Sequence, residues 1–234
     1  MKGNSTLSGK NFGILYVVGT PIGNLEDVSF RALRILKEVD LIAAEDTRHT
    51  RKLLSHYNIH TSLTSFYEHN EVKKTDYLIK KIKEGANVAL VSKAGIPGIS
   101  DPGCYLIKRA VENQIKIVPI PGPCALVLAL VVSGLPTKRF VFEGFLGRTR
   151  KERINKLNEL SCEKRTIIIY EAPHRIQKIL PEIKQILGDR QIAVTRELTK
   201  KFEEVIRGRV SEVEKVFARK KPRGEFTLII EGAG

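Results

Sequence analysis

Cysteine is scarce in this 234-residue chain: Cys104, Cys124 and Cys162 are widely spaced and form no CxxC pair. So odd and scattered a set gives neither a disulfide framework nor a thiolate metal site. His56 and His60 have the spacing of a metal pair, but Asn58 between them marks a helix end and no glutamate intervenes. They read as surface histidines, and no metal is expected. Long hydrophobic runs are missing as well. The longest, Ala125 to Val132, falls far short of the ~20 residues a bilayer demands. No basic-then-apolar signal opens the sequence, so the expected location is cytoplasmic, away from membranes. Glycine fingerprints for phosphate are absent: no GxGxxG follows the first strand pattern. The stretch Gly3 to Lys10 imitates a P-loop but has five residues between its glycines, Asn11 after its lysine, and no preceding strand. Internal repeats and low-complexity tracts are absent too.

What is present starts with charge. The chain carries 40 basic and 26 acidic residues, a formal net charge of +14. Residues 1 to 138 hold 18 basic and 12 acidic residues, and residues 139 to 234 hold 22 and 14, so the shorter half has the denser excess. Its runs are Arg148, Arg150, Lys151, Arg153 and Lys156, then Arg219, Lys220, Lys221 and Arg223. A surplus of this size suits a polyanionic partner, since each neutralised phosphate releases counterions. A charged surface tuned for solubility is the plainer explanation. Few aromatics interleave these runs, so no base-stacking platform is visible in them.

Strand and helix patterns alternate along the chain. Buried-strand runs at Ile14 to Gly19, Leu41 to Ala44, Ser65 to Tyr67, Val88 to Val91 and Ile115 to Val118 alternate with helical spacing at 26–39, 50–57, 72–84 and 104–113. An apolar helix over 125–132 follows. Repeated βα units of this length predict a mostly parallel sheet. Beyond Gly134-Leu-Pro-Thr-Lys138, strand patterns at 140–145, 166–170, 192–195, 204–208 and 226–230 alternate with helices at 151–160, 175–187 and 210–220. The expected organisation is a disordered segment over 1–12, an α/β domain over 13–134, and a second α/β domain over 139–234 with a mixed sheet. A cleft between the two domains is the expected site.

Three glycine/proline clusters follow strand patterns in the first half: Gly19-Thr-Pro-Ile-Gly-Asn24, Ser92-Lys-Ala-Gly-Ile-Pro-Gly-Ile-Ser-Asp-Pro-Gly103, and Pro119-Ile-Pro-Gly-Pro-Cys-Ala125. Such corners let bare backbone approach a ligand, and three of them suggest one small-molecule site. Each glycine taken alone is explained by a tight βα turn.

With the further runs Ala44-Glu-Asp-Thr-Arg48, Phe142-Glu-Gly-Phe-Leu146, Tyr170-Glu-Ala-Pro-His-Arg175, Arg196-Glu-Leu-Thr-Lys-Lys201 and Arg223-Gly-Glu-Phe-Thr-Leu228, the chain resembles the tetrapyrrole-methylase superfamily from Leu15 to Gly232. Within it, the motifs are similar to those of members that methylate a cytidine ribose 2'-hydroxyl in the 16S RNA of the small ribosomal subunit. The resemblance implies two α/β domains of the class III methyltransferase type, S-adenosylmethionine bound between them, and a homodimer. The family's cofactor contacts map onto Pro21 and Gly23, onto Val91, Ser92, Lys93 and Ile96, onto Cys124 and Ala125, and onto Glu171 and Leu198. At the second corner the family has Ser-Asp-Ala-Gly-Thr-Pro-Gly, so Lys93 reverses a charge and Ile96 removes a hydroxyl. A lysine turned toward a sulfonium would repel it; turned to solvent, its backbone still serves. Relatives commonly continue past the position of Gly234 into a short helical tail.

The implied chemistry is in-line attack of a ribose hydroxyl on a sulfonium methyl. Alignment contributes at most roughly 7–11 kcal/mol, and a general base about two to four powers of ten. Glu45, Glu171 and Glu197 are the candidate bases, with a cap or a salt bridge as the competing role of each. Arg48, His174, Arg175, Arg196 and Lys200 are the candidates for holding RNA phosphates, with pairing to nearby glutamates as the structural alternative. Pro173 suits the first turn of a helix, which sets His174 and Arg175 at an anion-friendly end. Two other readings remain: methylation of a tetrapyrrole or small metabolite, for which the basic excess gives no reason, and an RNA-binding protein whose cofactor site has decayed at Lys93.

Overall fold

The computed structural model describes residues 12–219 and 221–234. The P-loop-like segment and nearly all of the N-terminal stretch expected to be disordered lie outside the described residues. Two compact units divide the chain: Leu25–Pro123 with the segment preceding Ile22, and Cys124–Gly234 with Ile22–Asn24.

In the first unit, β1 (Ile14–Val18), β2 (Leu41–Ala44), β3 (Leu63–Ser65), β4 (Val88–Val91) and β5 (Lys116–Ile120) form a sheet in the order β3-β2-β4-β1-β5. Every pairing is parallel. Helices α1 (Phe30–Glu38), α2 (Thr47–His56), α3 (Glu71–Lys83) and α4 (Cys104–Glu112) supply the crossovers. A parallel sheet covered on both faces needs strands that are apolar throughout, and Val88–Val91 is buried at every position. One face packs on α1 and α2 through Ala32, Leu36 and Leu54. The opposite face packs on α3 and α4 through Leu78, Ile82, Leu106 and Ala110.

This order places neighbouring strands β4 and β1 at a reversal. From β1 the chain leaves toward β2 across the α1 face; from β4 it leaves toward β5 across the α4 face. Connections that diverge on opposite faces open a crevice at the carboxyl ends of the two strands, the usual ligand position of an open α/β sheet. Local signals fix the helix starts around it. Ser29 Oγ accepts from the Ala32 N–H to begin α1, and Asp46 Oδ1 accepts from the Arg48 and His49 N–H groups to begin α2.

The second unit begins with α5 (Ala125–Ser133), continues through β6 (Phe140–Phe145), α6 (Arg150–Glu159), β7 (Thr166–Glu171), α7 (Ile176–Leu187), β8 (Gln191–Arg196) and β9 (Glu204–Arg209), and ends with α8 (Val210–Ala218) and β10 (Phe226–Ile230). Its sheet runs β6-β7-β10-β8-β9. Only β6 and β7 pair in parallel; β10 is antiparallel to β7 and β8, and β8 to β9. The central strand β10 is wholly buried. Helices α6, α7 and α8 cover one face through Leu157, Ile179, Ile183, Val213 and Phe217.

Helix α5 packs against the second sheet, burying Leu126, Ala129 and Leu130. Its Leu126 N–H donates to Tyr170 Oη at 3.2 Å, and Arg207 donates to the Val132 carbonyl. The units therefore part at Pro123/Cys124, ahead of this helix, whereas the boundary expected from composition, 134–138, falls after it. An apolar helix after a glycine/proline corner looks like one more βα crossover, but its apolar surface suits the sheet that follows.

Candidate active site

Because the first sheet is parallel and in register, Glu45, Ser92, Gly19 and Pro121 follow four adjacent strand ends in one row. The first and second corners are bonded to each other: the Thr20 N–H donates to the Gly95 carbonyl at 2.9 Å and the Gly95 N–H to the Thr20 carbonyl at 3.0 Å. The first and third touch backbone to backbone. A Cβ on Gly19 would stand 2.7 Å from the Gly122 Cα, and one on Gly122 would stand 2.7 Å from the Gly19 carbonyl carbon. Neither position accepts a side chain without backbone movement. The three corners thus form one backbone-lined rim around the crevice.

Within it, Pro21, Ser92 and Lys93 line a cavity of about 20 Å³ beside His49, room for about one water. Val91 and Ser92 are buried, and Ile96 is half-buried. Ser92 Oγ donates within its own corner, to the Ala94 and Gly95 carbonyls at 3.2 and 3.3 Å. The Lys93 N–H donates to Glu45 Oε2 at 2.8 Å, so Glu45 holds the second corner in place. The Lys93 side chain is exposed. Asp46 sits below its usual carboxylate range, chiefly through the His49 N–H, with Lys93 among the cations contributing.

The second unit gathers its functional candidates along one edge of its own sheet. Register aligns Glu171, Phe226, Arg196 and Glu204 across β7, β10, β8 and β9. Glu171 is fully buried; its Oε1 accepts from Arg175 Nε and the Ala172 N–H, both at 2.6 Å. Its Oε2 is buried with no partner among the described residues. Arg175 also donates to the Leu146 and Gly147 carbonyls at 3.3 Å, which ties the end of β7 to the loop after β6.

Glu197 and Lys200 form a second cluster after β8. Lys200 Nζ donates to Glu197 Oε1 and Glu225 Oε2, both at 2.9 Å, and its stem lies against Gly23. Burial works to raise the Glu197 pKa, but the bond from Lys200 and the Glu225 N–H outweigh it and hold the carboxyl below its usual range. Burial likewise acts to lower Lys200, and Glu197 and Glu225 overcome it, so the ammonium is held above its usual range. A neutral lysine base is the opposite of what this cluster favours. Glu197 and Thr199 adopt φ of 52° and 67°, conformations costly for non-glycine residues and concentrated at functional loops. Leu198 lies between them, half-buried. Arg196 is engaged structurally, donating to the Arg223 carbonyl at 2.7 Å and approaching Glu204 at 3.5 Å.

Arg48 follows the α2 cap and is exposed. Cys124 caps α5 ahead of Ala125, and these two residues are half-buried. His174 lies in the short turn before α7. There the structure adds residues that sequence patterns did not single out: Arg148, Arg150 and Lys178 line a cleft of about 650 Å³ with His174 and Arg175. Arg148 and Arg150 stood out only as part of a charge run, and Lys178 had no signal of its own.

A glycine-built rim at the switch point of a parallel sheet, followed by a mixed sheet with an acid and base edge, defines an α/β transferase architecture. The model of the tetrapyrrole (corrin/porphyrin) methylases matches residues 14–214, and the chain belongs to this family. Among individual relatives, it is 51% identical over 222 residues to the ribosomal RNA small subunit methyltransferase I of Halalkalibacterium halodurans, covering 95% of this chain and 77% of that one. It is 47% identical over 220 residues to the protein of the same name from Thermotoga maritima, covering 94% and 99%. Among solved structures it is similar to a uroporphyrin-III C-methyltransferase from Thermus thermophilus, with TM-score 0.66, 20% identity and 94% of both chains covered. It is also similar to a diphthine synthase, with TM-score 0.69, 13% identity and 94% and 90% covered. These two likenesses show the fold alone.

Proposed function

We propose that the protein methylates a cytidine ribose 2'-hydroxyl in the 16S RNA of the small ribosomal subunit. It is an S-adenosylmethionine-dependent methyltransferase that acts on ribosomal RNA. The observation that carries this reading is the convergence of the three corners at the β1/β4 crevice, in a chain about half identical to the ribosomal RNA methyltransferases. The residues fit the methyl donor: the three corners set backbone N–H and carbonyl groups along one row of strand ends, where a nucleoside and an amino-acid head find hydrogen-bond partners. Pro21, Val91, Ser92, Lys93 and Ile96 would hold it on the first unit through backbone groups. Cys124, Ala125, Leu198 and Gly23 are the corresponding positions on the second. When bound, the donor supplies an electrophilic methyl group on a sulfonium.

The chain's own task is then to orient the ribose hydroxyl and take its proton. Of the three candidate carboxylates, Glu45 is engaged by the Lys93 N–H, and Glu197 by Lys200 and the Glu225 N–H. Of the three, Glu171 alone has a fully buried oxygen without a partner among the described residues, while Arg175 fixes its other oxygen. We therefore assign proton acceptance to Glu171 and loop positioning to Glu45 and Glu197. The test is transfer of labelled methyl to small ribosomal subunits and to free 16S RNA, with the product mapped by resistance of the adjoining phosphodiester to alkali. Labelling of a tetrapyrrole instead of RNA, or a base-methylated product, would overturn it. The homodimer and the cytoplasmic location belong to the same proposal; sedimentation and fractionation check them.

A further inference from the structure

The cleft at the end of α7 is built for an anion. Arg148, Arg150, Arg153, Arg175 and Lys178 line it together with His174, against a single carboxylate, Glu182. That carboxylate is already neutralised: Arg153 donates to both of its oxygens at 2.8 Å, and Arg150 stands 3.7 Å away. Arg153 and Glu182 are both buried, so this pair forms the wall of the cleft and leaves no negative field to repel a ligand. Neither Arg148 nor Lys178 forms an ion pair among the described residues. Lys184 and Lys156 of the same unit, by contrast, are paired with Glu214 and Glu159. Several cations sharing one cleft repel each other unless a polyanion neutralises them.

A second feature adjoins it. Phe145, at the end of β6, is 55% exposed. It lines a neighbouring depression of about 540 Å³ that shares Arg148 with the cleft. Its ring is braced by Tyr170 at a centroid distance of 5.6 Å. An exposed, braced ring beside a basic groove is the arrangement on which an unpaired base stacks. Sequence patterns showed no such platform because the basic runs themselves contain no aromatic residue; folding puts one beside Arg148. Both features lie at the edge of the second sheet that carries Glu171, and Arg175 links that acid to the loop leading into Arg148.

We propose that this cleft docks the phosphate backbone of a single-stranded stretch of RNA through Arg148, Arg150 and Lys178, with Phe145 stacking on one base. The proposal rests on the reading of RNA as the substrate and names where the second unit grips it. A duplex fits less well, since a lone ring beside a narrow groove has nothing to stack on when the bases are paired.

The test measures binding of a fluorescein-labelled single-stranded oligoribonucleotide from the 16S sequence over a range of potassium chloride concentrations. R148A/R150A/K178A should bind at least ~10-fold more weakly and flatten the log-affinity against log-salt slope by about 2, near 0.7 for each phosphate left without its cation. F145L should bind about 5-fold or more weakly at an unchanged slope. S-adenosylmethionine affinity by calorimetry and thermal melting should match wild type in both variants. An unaltered slope in the triple variant overturns the proposal, as does transfer of the slope change to R219A/K221A/R223A or equal competition by duplex RNA. Failure of the wild-type protein to methylate ribosomal RNA overturns the functional reading instead, and the binding slopes still decide the docking site.

Discussion

The carboxyl edge of the first sheet is lined by Gly19, Pro21, Ser92, Gly95 and Gly122, and the corresponding edge of the second by Glu171, Arg175, Arg196, Glu197 and Lys200. The first edge has its shape from backbone groups that cannot be moved, and the second has its field from side chains that hold one another by charge. A parallel sheet favours the former, because every strand ends on the same side and its loops are short turns into helices. A mixed sheet favours the latter, because the ends of β7 and β8 meet the starts of β9 and β10, and motifs far apart in sequence share one row. A small donor recognised by shape suits the first; a polyanion and a proton transfer suit the second.

The sharpest challenge to this division is Glu171→Gln. If Glu171 accepts the proton, kcat should fall about 10²–10⁴-fold with cofactor affinity retained. Single-turnover transfer alongside calorimetry decides it, and intact kcat with weakened cofactor binding would make the residue part of the donor's site. Next comes Gly19→Ala, which forces a methyl group to within 2.7 Å of the Gly122 backbone. It should lower stability by about 1–3 kcal/mol and weaken cofactor binding at least ~10-fold, while leaving the salt dependence of RNA binding alone. A shifted salt slope would blur the comparison.

A smaller effect is expected from Glu197→Gln. Glu197 is depressed, so its contribution is complete above the unfolded carboxylate pKa and fades as pH falls through its lower folded value. Lys200 is raised, so its contribution is complete below the unfolded lysine pKa and is lost as pH climbs through its higher folded value. The wild-type protein should therefore keep the pair's stabilisation across neutral pH and lose it at both extremes, and the variant should lose this acid limb in melting curves taken from pH 3 to pH 7. The smallest effect is expected for Lys93→Asp. With its side chain exposed and its N–H engaged by Glu45, exchange should change cofactor affinity by less than about 3-fold, within the range of exposed charge effects. A large gain in affinity would mean that the lysine faces the sulfonium.

Much of this was legible in the sequence. The strands are short buried runs bounded by turns, and Leu41–Ala44, Val88–Val91 and Phe226–Ile230 begin and end where their patterns do. The order β3-β2-β4-β1-β5 was not legible, because pairing of Ile14–Val18 with strands many residues later leaves no local trace. The corners could be seen as ligand-facing loops, but the contact of Gly19 with Gly122 could not. Among the charged residues, chemistry was legible and availability was not. Arg175 and Arg196 look like phosphate ligands until carbonyls and acids are found on them, whereas Lys178 looks ordinary until folding brings it into one cleft with Arg148.

The pairing of β1 also bears on how the protein is made. Its neighbours are β4 and β5, so β1, once it has left a ribosome, waits for residues 88–91 and 116–120 before it can enter this sheet. At about 5–20 residues per second that delay is roughly 5–20 s. During it the apolar segment Ile14–Val18 has no partner strand, whereas β2 and β3 can already pair with each other. The Gly19–Gly122 contact cannot close until residue 122 has emerged, so the rim of the crevice is incomplete throughout that delay. Slowing synthesis between α3 and β5 should lengthen the period in which a chaperone can bind the N-terminal strand.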